Sequence, residues 1–408
     1  VTDEVEREQF RQEIHMLGDL DKIKWVLGIN YCTKDGDNEK VLDFTGSNFR
    51  PDGKFDNEAT ALFAQVTYDL TERLHLTVGG RYTEEEKSFL PDQIIFTNYY
   101  AGISGVVPPT NPLFALDAPF LQAGERILPF IEKQIDIEEF TSMANLAFDV
   151  NDDAMIYLSY SEGFKSGGFT QRVFPPVVAG FTAPAGTADI DLIPTYDPEF
   201  VEVLELGAKL SFWQDRLTVN AAIFHTDYQD LQVQVFNSVA PVTQNIGEAT
   251  IEGFELELMA APGDGWFIEA SLSLLDAEYD EIDTGNTLIG QDFEFERVPD
   301  TAASLGISKE FQLNDLGALT LRADWSYRAE TYNDAFNTEL LKTDSYDLLD
   351  ASVRWNNAEE DWTVTLFGRN LGDEEYLVTG VYGTAFQAFE GVLDRGRQWQ
   401  LEVRKRFQ

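Results

Sequence analysis

The chain is poor in the residues that build disulfides, metal centres and catalytic triads. Its 408 residues contain one cysteine, Cys32, with three histidines and four methionines. A single cysteine excludes a disulfide framework, and so few histidines leave no material for a Cys/His metal cluster. No HExxH, GxxxxGK or GxSxG motif occurs, and His15, His75 and His225 fall on separate strands without a paired nucleophile. We therefore expect a protein that is not an enzyme and has no cofactor.

Positive charge is scarce as well. The chain has 29 Lys and Arg against 72 Asp and Glu, so its net charge is −43. Nucleic-acid affinity comes mainly from basic side chains on phosphates, so we expect no nucleic-acid partner. Two interpretations of the acidity remain open, a large solvated surface or the attraction of cations and cationic solutes.

Long apolar runs are missing, and strict alternation takes their place. No run approaches the ~18 residues of a membrane helix. In RQWQLEVRKRF (397–407), Trp399, Leu401 and Val403 share one face, and polar side chains occupy the other. Strands of soluble sandwiches average about 5–6 residues, whereas segments of this kind run to ten or more. Long strands with aromatic residues near their ends, one apolar face and one polar face are typical of an outer-membrane β-barrel.

Short polar connectors alternate with long ones along the chain. This alternation predicts about fifteen strands, at approximately 7–17, 22–33, 58–69, 73–85, 138–149, 154–165, 200–212, 216–235, 250–261, 266–279, 301–311, 319–329, 345–355, 362–371 and 396–407. The predicted long connectors are 34–58, 86–138, 166–198, 236–249, 279–300, 329–345 and 371–396. Single-chain bacterial barrels close with an even number of strands, so an odd count leads us to expect further strands on the N-terminal side.

Several segments resemble the C-terminal barrel of TonB-dependent outer-membrane receptors. They are LHLTVGGRYTEEEKSF (74–89), YLSYSEGFKSGGF (157–169), ELGAKLSFWQDRLTVNAAIFHTDYQDLQVQVF (205–236), NIGEATIEGFELELMAAP (245–262) and FGRNLGDEEY (367–376). The resemblance implies an all-β fold, a transmembrane antiparallel β-barrel whose strands form the C-terminal part of a 22-stranded barrel. It implies that residues 1–408 form a barrel domain that is truncated at its N-terminal side and lacks the plug domain. The expected location is the outer membrane of a Gram-negative bacterium.

The resemblance also implies a function. We expect active transport of a scarce solute, with a ferric siderophore or another iron complex as the first candidate. The energy would come from the TonB–ExbB–ExbD complex acting through the missing N-terminal region. Outer-membrane lipids and lipopolysaccharide would surround the barrel. The alternatives are TonB-dependent uptake of a carbohydrate or a vitamin B12-like substrate, and a passive porin-type barrel.

Two sets of candidate site residues follow. SEGFKSGGF opens no helix, so we interpret it as the rim of a strand and not as a phosphate loop. Aromatic and basic residues of the long connectors form the expected substrate vestibule: Phe96, Tyr99, Tyr100, Lys165, Phe169, Arg172 and Phe174. The alternative is that these aromatic residues pack on each other to order the loops. The expected lumen-facing wall comprises Arg81, Glu205, Lys209, Glu255, Glu257, Arg322, Asp324, Arg404 and Arg406.

Acidic clusters in the long connectors raise the question of calcium. They are DGDNE (35–39), DID (189–191) and DAEYDEID (276–283). None has the spacing of an EF-hand loop, so solvated loop ends are the first expectation. Loosely bound Ca²⁺, or divalent ions that bridge to lipopolysaccharide, is the alternative.

Overall fold

The structure is a computed structural model that describes residues 2–44, 47–98, 124, 126–170, 189–237, 240–282, 289–383 and 388–407. Strands make up nearly all of it, with short 3₁₀ turns at Asp189–Leu192, Asn314–Leu316 and Glu339–Leu341. The strands are β1 (Thr2–Leu20), β2 (Ile23–Phe44), β3 (Ser47–Asp69), β4 (Leu74–Asn98), β5 (Lys133–Asn151), β6 (Ala154–Lys165), β7 (Gly168–Phe169), β8 (Thr195–Tyr196), β9 (Glu199–Phe212), β10 (Leu217–Gln229), β11 (Gln232–Asn237), β12 (Ala240–Asn245), β13 (Gly247–Gly263), β14 (Trp266–Ile282), β15 (Thr301–Gln312), β16 (Ala318–Arg328), β17 (Thr331–Tyr332), β18 (Lys342–Thr343), β19 (Tyr346–Asn356), β20 (Trp362–Arg369), β21 (Leu377–Gly383), β22 (Ala388–Leu393) and β23 (Gln398–Lys405). Within the described ranges, no helix is long and apolar enough to cross a membrane.

One large antiparallel sheet dominates the molecule. It has 15 strands in the order β1-β2-β3-β4-β5-β6-β9-β10-β13-β14-β15-β16-β19-β20-β23, which confirms the predicted all-β fold and strand count. Every neighbour in this order is also the next long strand along the chain, so the sheet is a continuous meander. In the described residues β1 and β23 pair on one side only, and the sheet is not closed.

Alternation gives the sheet two different faces. The outward face carries cross-strand apolar pairs such as Val66 with Val78 and Leu206 with Ile223. Leu206 and Ile223 are 48% and 52% exposed, although both lie in mid-strand. A continuous exposed apolar band is costly in water and suits hydrocarbon. The opposite face, called the polar face below, carries the charged and hydroxyl side chains of the same strands.

Tight turns join the strands on one side of the sheet, called the turn side. Asp264 and Gly265 form a two-residue connection with φ of 52° and 77°. Two positive φ values match the type I′ turn, whose twist suits a hairpin. A side chain on Gly265 would place its Cβ 2.6 Å from the carbonyl oxygen of Glu310. The opposite loop side holds the long connectors.

The structure corrects several predicted boundaries on the loop side. β2 continues to Phe44, and β3 begins at Ser47. Most of the predicted connector 34–58 is therefore an extension of the β2–β3 hairpin. β4 runs on to Asn98 and β5 begins at Lys133, so the connector 86–138 is also partly strand. The predicted strand 216–235 was too long, because β10 ends at Gln229 and Asp230 follows in the left-handed region with φ 53°. β11 takes up the end of that predicted strand, and it pairs with β12, which lies in the connector 236–249. The hairpin β21–β22 lies in the connector 371–396, which was predicted as a loop.

Buried apolar side chains order two parts of the loop side. Leu231, Ile246, Tyr279, Ile289 and Ala335 form a buried core that joins the connectors after β10, β14 and β16. On the β2–β4 side the buried residues include Phe49, Phe89, Ile95, Leu128 and Ile193. The connectors that contain these residues are therefore packed against other parts of the protein and do not extend freely into solvent.

Candidate functional site: polar wall and loop-side rim

The strand register places eight of the nine predicted wall residues on the polar face. They are Arg81, Glu205, Lys209, Glu255, Glu257, Arg322, Asp324 and Arg404. Arg406 follows the end of β23, and its backbone N–H donates to the carbonyl of Asp361 at 2.8 Å. Their contact with a solute or a plug stays a prediction. The side chains form separate clusters on the wall.

The first cluster centres on Tyr157 of β6. Its hydroxyl donates to Glu205 Oε1 at 2.7 Å, and Lys209 Nζ lies 5.9 Å from the centre of its ring. The ring covers Gly207, where an added Cβ would lie 2.3 Å from the ring. Glycine therefore lets the tyrosine lie flat on the wall, between a carboxylate and an ammonium group.

The second cluster surrounds Arg322 of β16. Its Nε donates to both carboxylate oxygens of Asp324 at 2.9 Å, and Nη2 also pairs with Glu269 of β14. Gly306 of β15 lies beneath the three charges, since a Cβ there would meet all of them at 2.9 Å. The sequence prediction missed Glu269, although its alternation with Ser271 and Ser273 placed it on the polar face. Nε and Nη2 of the guanidinium thus bond two carboxylates within the wall.

The predicted vestibule is only partly described. Phe96 is exposed and belongs to β4, where the pairing skips it between Ile95 and Thr97, so it lies in a β-bulge and not in a loop. Lys165 ends β6 and is exposed. Phe169 of β7 packs on Phe89 with ring centres 5.6 Å apart. No contact among Phe96, Lys165 and Phe169 is seen in the described residues. Tyr99, Tyr100, Arg172 and Phe174 lie outside the described residues.

A second aromatic rim, which the sequence prediction missed, lies at the loop side of β16, β19 and β20. Tyr346 begins β19 opposite Arg328 of β16, and its ring stacks on Tyr376 with centres 4.0 Å apart. Burial, with Asp394 and Asp350 nearby, raises the pKa of Tyr376. The rim therefore presents aromatic rings in a negative environment.

Asn370 holds this rim in shape. It is 4% exposed, and its amide bonds both the N–H and the carbonyl of Glu374 at 2.8 Å. Its own N–H donates to Asp350 Oδ1 at 2.8 Å. The FGRNLGDEEY segment thus positions Tyr376 through an asparagine that could have been found as the turn residue after β20.

The histidines are engaged by carboxylates. His75 bonds Asp69 at 2.5 Å and Asp149 at 3.0 Å, and His225 bonds Glu252 at 2.9 Å. His15 bonds Glu13 at 2.5 Å. Over the described part of the chain, no group of three or more His, Cys, Asp or Glu side chains is arranged to hold a metal ion.

Comparison with known proteins identifies the family. Residues 4–371 match the family described as TonB dependent receptor-like, beta-barrel. The chain belongs to this family. TonB-dependent receptors are receptors and transporters, not enzymes, and they are proteins of the Gram-negative outer membrane. This confirms the predicted family, non-enzymatic class and location.

Individual relatives agree with the family match. The probable TonB-dependent siderophore receptor PiuA of Acinetobacter baumannii is 29% identical over 248 residues, which cover 58% of this chain and 30% of PiuA. The pesticin receptor of Yersinia pestis is 22% identical over 79% of this chain and 40% of its own length. The chain thus spans about a third of the length of these relatives.

Solved structures share the fold. The ferric yersiniabactin uptake receptor FyuA from Yersinia pestis superimposes with a TM-score of 0.76 at 19% identity, over 99% of this chain and 54% of FyuA. The siderophore receptor PiuA gives a TM-score of 0.69 at 20% identity, over 99% of this chain and 56% of PiuA.

Proposed function

We propose that this TonB-dependent receptor barrel serves in active uptake of a ferric siderophore or another iron complex across the outer membrane. The observation that carries the proposal is the family match over residues 4–371, combined with relatives named as siderophore receptors. We also propose that residues 1–408 act as one barrel domain, together with further strands, a plug and a TonB box in a longer polypeptide. TonB, ExbB and ExbD would supply the energy through that plug.

The polar wall suits a path along which a bound solute is released. Arg322 is neutralised by Asp324 and Glu269, and Glu205 is bonded by Tyr157. Charges that are paired within the wall offer no single strong anchor, so a passing complex can exchange weak contacts. Tight capture would then depend on the loop-side rim, where Tyr346 and Tyr376 lie.

Uptake of radioactive iron tests this proposal. Cells that produce the complete receptor should accumulate ⁵⁵Fe-siderophore, and a deletion strain should not. A protonophore or loss of TonB should abolish the accumulation, because the transport needs the proton-motive force. Diffusion of small solutes that persists without TonB would favour the porin-type barrel. Energy-dependent uptake of a carbohydrate or a cobalamin, without iron uptake, would favour the other alternative.

We further propose that lipopolysaccharide meets the outward face through divalent cations. Glu162 of β6 lies directly opposite Glu202 of β9, and the single O–H of Tyr160 lies within hydrogen-bond distance of both carboxylates, at 2.8 and 3.0 Å. Like charges directly opposite each other are destabilising, and a divalent cation between them would relieve the repulsion. In the sheet, Glu162 and Glu202 lie on the loop side of Leu158 and Leu204. This is the edge of the apolar band, where lipid phosphates would lie.

Chelation tests the divalent bridge. Adding EDTA to outer-membrane vesicles that contain the receptor should lower its thermal midpoint by a few degrees, and Mg²⁺ or Ca²⁺ should restore it. Glu162→Gln/Glu202→Gln should make the midpoint insensitive to EDTA. An unchanged response of this variant would contradict the assignment of the bridge to these residues.

A further inference from the structure

Carboxylates dominate the loop-side rim formed by segments 289–300, 329–345, 370–383 and 388–397, called the C-terminal rim. The acidic residues of these segments are Asp292, Glu294, Glu296, Asp300, Glu330, Asp334, Glu339, Asp344, Asp373, Glu374, Glu375, Glu390 and Asp394. Their basic residues are Arg297, Lys342, Arg395 and Arg397. A surface with this balance carries a negative potential that extends over about 8–10 Å at physiological salt.

Most of the cations of the C-terminal rim are already neutralised. Lys342 Nζ pairs with Glu330 at 2.8 Å. Arg297 pairs with Glu296 at 3.4 Å and donates to the Thr379 hydroxyl at 2.6 Å. Arg397 pairs with Asp373 at 3.7 Å. These side chains hold the rim together and leave little positive charge for an anionic ligand.

The opposite rim repeats the arrangement. Arg50 pairs with Asp52 at 2.8 Å and with Asp92 at 2.9 Å. Arg126 pairs with the same Asp92 at 2.7 Å, over the ring of Phe130. Arg50 and Arg126 are therefore neutralised within the rim in the same way as the cations of the C-terminal rim.

Aromatic faces accompany the carboxylates. Tyr346 stacks on Tyr376, and Tyr382 stacks on Phe389 with ring centres 4.4 Å apart. The faces of aromatic rings attract cations, and the attraction grows when carboxylates such as Asp350 and Asp394 are close. Aromatic rings and carboxylates together are the chemistry that recognises ammonium and other cationic groups, and they reject anions.

We propose that the C-terminal rim selects iron chelates that carry a positive or zero net charge and discriminates against anionic chelates. This inference rests on the proposed function and narrows its substrate class. The negative potential concentrates cations at the opening and repels anions, which changes association rates by factors of about 10 and more at low salt. An anionic complex would be repelled by the carboxylates of the C-terminal rim. It would also find few unpaired cations there to balance its own charge.

A matched series of chelates tests the inference. The ferric complex of one linear trihydroxamate is prepared with a free terminal amine, with the amine acetylated, and with the amine succinylated. The three complexes share the iron centre and differ in net charge, from positive through neutral to negative. Binding and ⁵⁵Fe uptake are measured with cells that produce the complete receptor. We expect the amine form to bind tightest and the succinyl form at least about tenfold more weakly, with the difference shrinking at high salt.

Charge-neutralised variants locate the effect. Glu339→Gln/Asp344→Asn/Glu374→Gln/Glu375→Gln removes four exposed carboxylates of the C-terminal rim. It should reduce the ratio between the amine and succinyl forms severalfold. The matched control Glu72→Gln/Asp152→Asn/Asp315→Asn/Glu359→Gln removes four exposed carboxylates on the turn side and should leave the ratio unchanged.

The outcomes separate the two claims. Succinyl binding as tight as amine binding, with iron uptake intact, overturns the charge selection and leaves the proposed function standing. Equal effects of the rim variant and the turn-side variant also overturn the assignment to the rim. Absence of binding and uptake for any ferric chelate counts against iron uptake itself, and the charge selection falls with it.

Discussion

Several glycines of the polar face lie under aromatic rings from a neighbouring strand. The pairs are Gly28 with Phe63, Gly53 with Phe89, Gly207 with Tyr157 and Gly253 with Phe224. Glycine normally weakens a strand, because it has no side chain to pack and the most backbone freedom to lose. A ring that covers it restores buried area and holds a bulky side chain flat on the wall. These glycines thus let bulky rings lie close against the polar face.

Gly207→Ala should destabilise the receptor by about 1–3 kcal/mol, because the new Cβ would overlap the Tyr157 ring. Gly372→Ala is the control, since nothing lies within 4 Å of an added Cβ there. Urea unfolding of the detergent-purified receptor measures both variants. Adding Tyr157→Ala to Gly207→Ala should recover part of the loss. A stability equal to wild type for Gly207→Ala would refute the packing argument.

Asn370→Ala should loosen the segment that carries Tyr376. The change leaves the N–H and carbonyl of Glu374 without their partner, which costs about 1–3 kcal/mol. It also puts alanine at φ 46°, where asparagine is better tolerated. Cleavage by a glutamate-specific protease after Glu374 should become faster. Asn370→Asp keeps the acceptor for the Glu374 N–H and should show a smaller increase; equal rates for both variants and wild type would disprove the bracing role.

Single residues show where prediction from sequence succeeds and stops. Period-two alternation placed Arg81, Glu205 and Arg322 on the polar face, because neighbouring side chains of a strand must point to opposite faces. Alternation does not predict the register, that is, which residues of different strands lie at the same height in the sheet. The pairing of Arg322 with Glu269 and the stacking of Tyr346 on Tyr376 join residues that are distant in sequence. Such contacts depend on register, which local pattern does not contain.

At the scale of elements, the predicted strands match the membrane band better than the rim. The turn-side ends agree closely, because short polar turns with Asp and Gly mark them. The loop-side ends were misplaced, since β2, β3 and β4 continue beyond the apolar band as strands with mixed patterning. β10 stops at Asp230 by a local change of φ within a sequence that keeps alternating. Hydrophobic patterning detects burial in lipid and not strand pairing above it.

The hairpin β11–β12 clamps the neck of the connector between β6 and β9. The amide of Gln232 donates to the carbonyls of Lys165, Ser166 and Asp197 at 3.3, 3.2 and 2.9 Å. Its backbone N–H donates to Glu199 at 2.6 Å. One buried side chain therefore ties two loop-side elements together.

Gln232→Leu should release that neck while the barrel strands keep their stability. The leucine fills the space but donates nothing, so three carbonyls lose a partner. Hydrogen exchange should accelerate at 166–170 and 195–198 and stay unchanged in β13 and β14. Gln234→Leu on the same hairpin, at an exposed position, is the control. Similar exchange in the two variants would show that Gln232 is not the clamp.

At the scale of the whole molecule, the open sheet is the feature that membrane physics does not tolerate. β1 and β23 both run from the loop side to the turn side, so closing the sheet between them would require a parallel pair. Bacterial single-chain barrels avoid this by having an even number of antiparallel strands. Unpaired N–H and C=O groups along two edges in hydrocarbon each cost several kcal/mol. Further strands between β23 and β1 would satisfy both edges.

Residues 1–408, produced alone and refolded in detergent, should therefore fail to form a closed, heat-resistant barrel. The row of unsatisfied backbone groups on β1 and β23 would drive aggregation or edge-to-edge association of copies. An unheated electrophoresis sample should show no compact, fast-migrating band, whereas the complete receptor should show one that disappears on boiling. The apolar outward face is the same in both proteins, so a difference between them isolates closure from hydrophobicity. A compact band from residues 1–408 alone would show that the sheet closes by itself, with β1 and β23 paired in parallel.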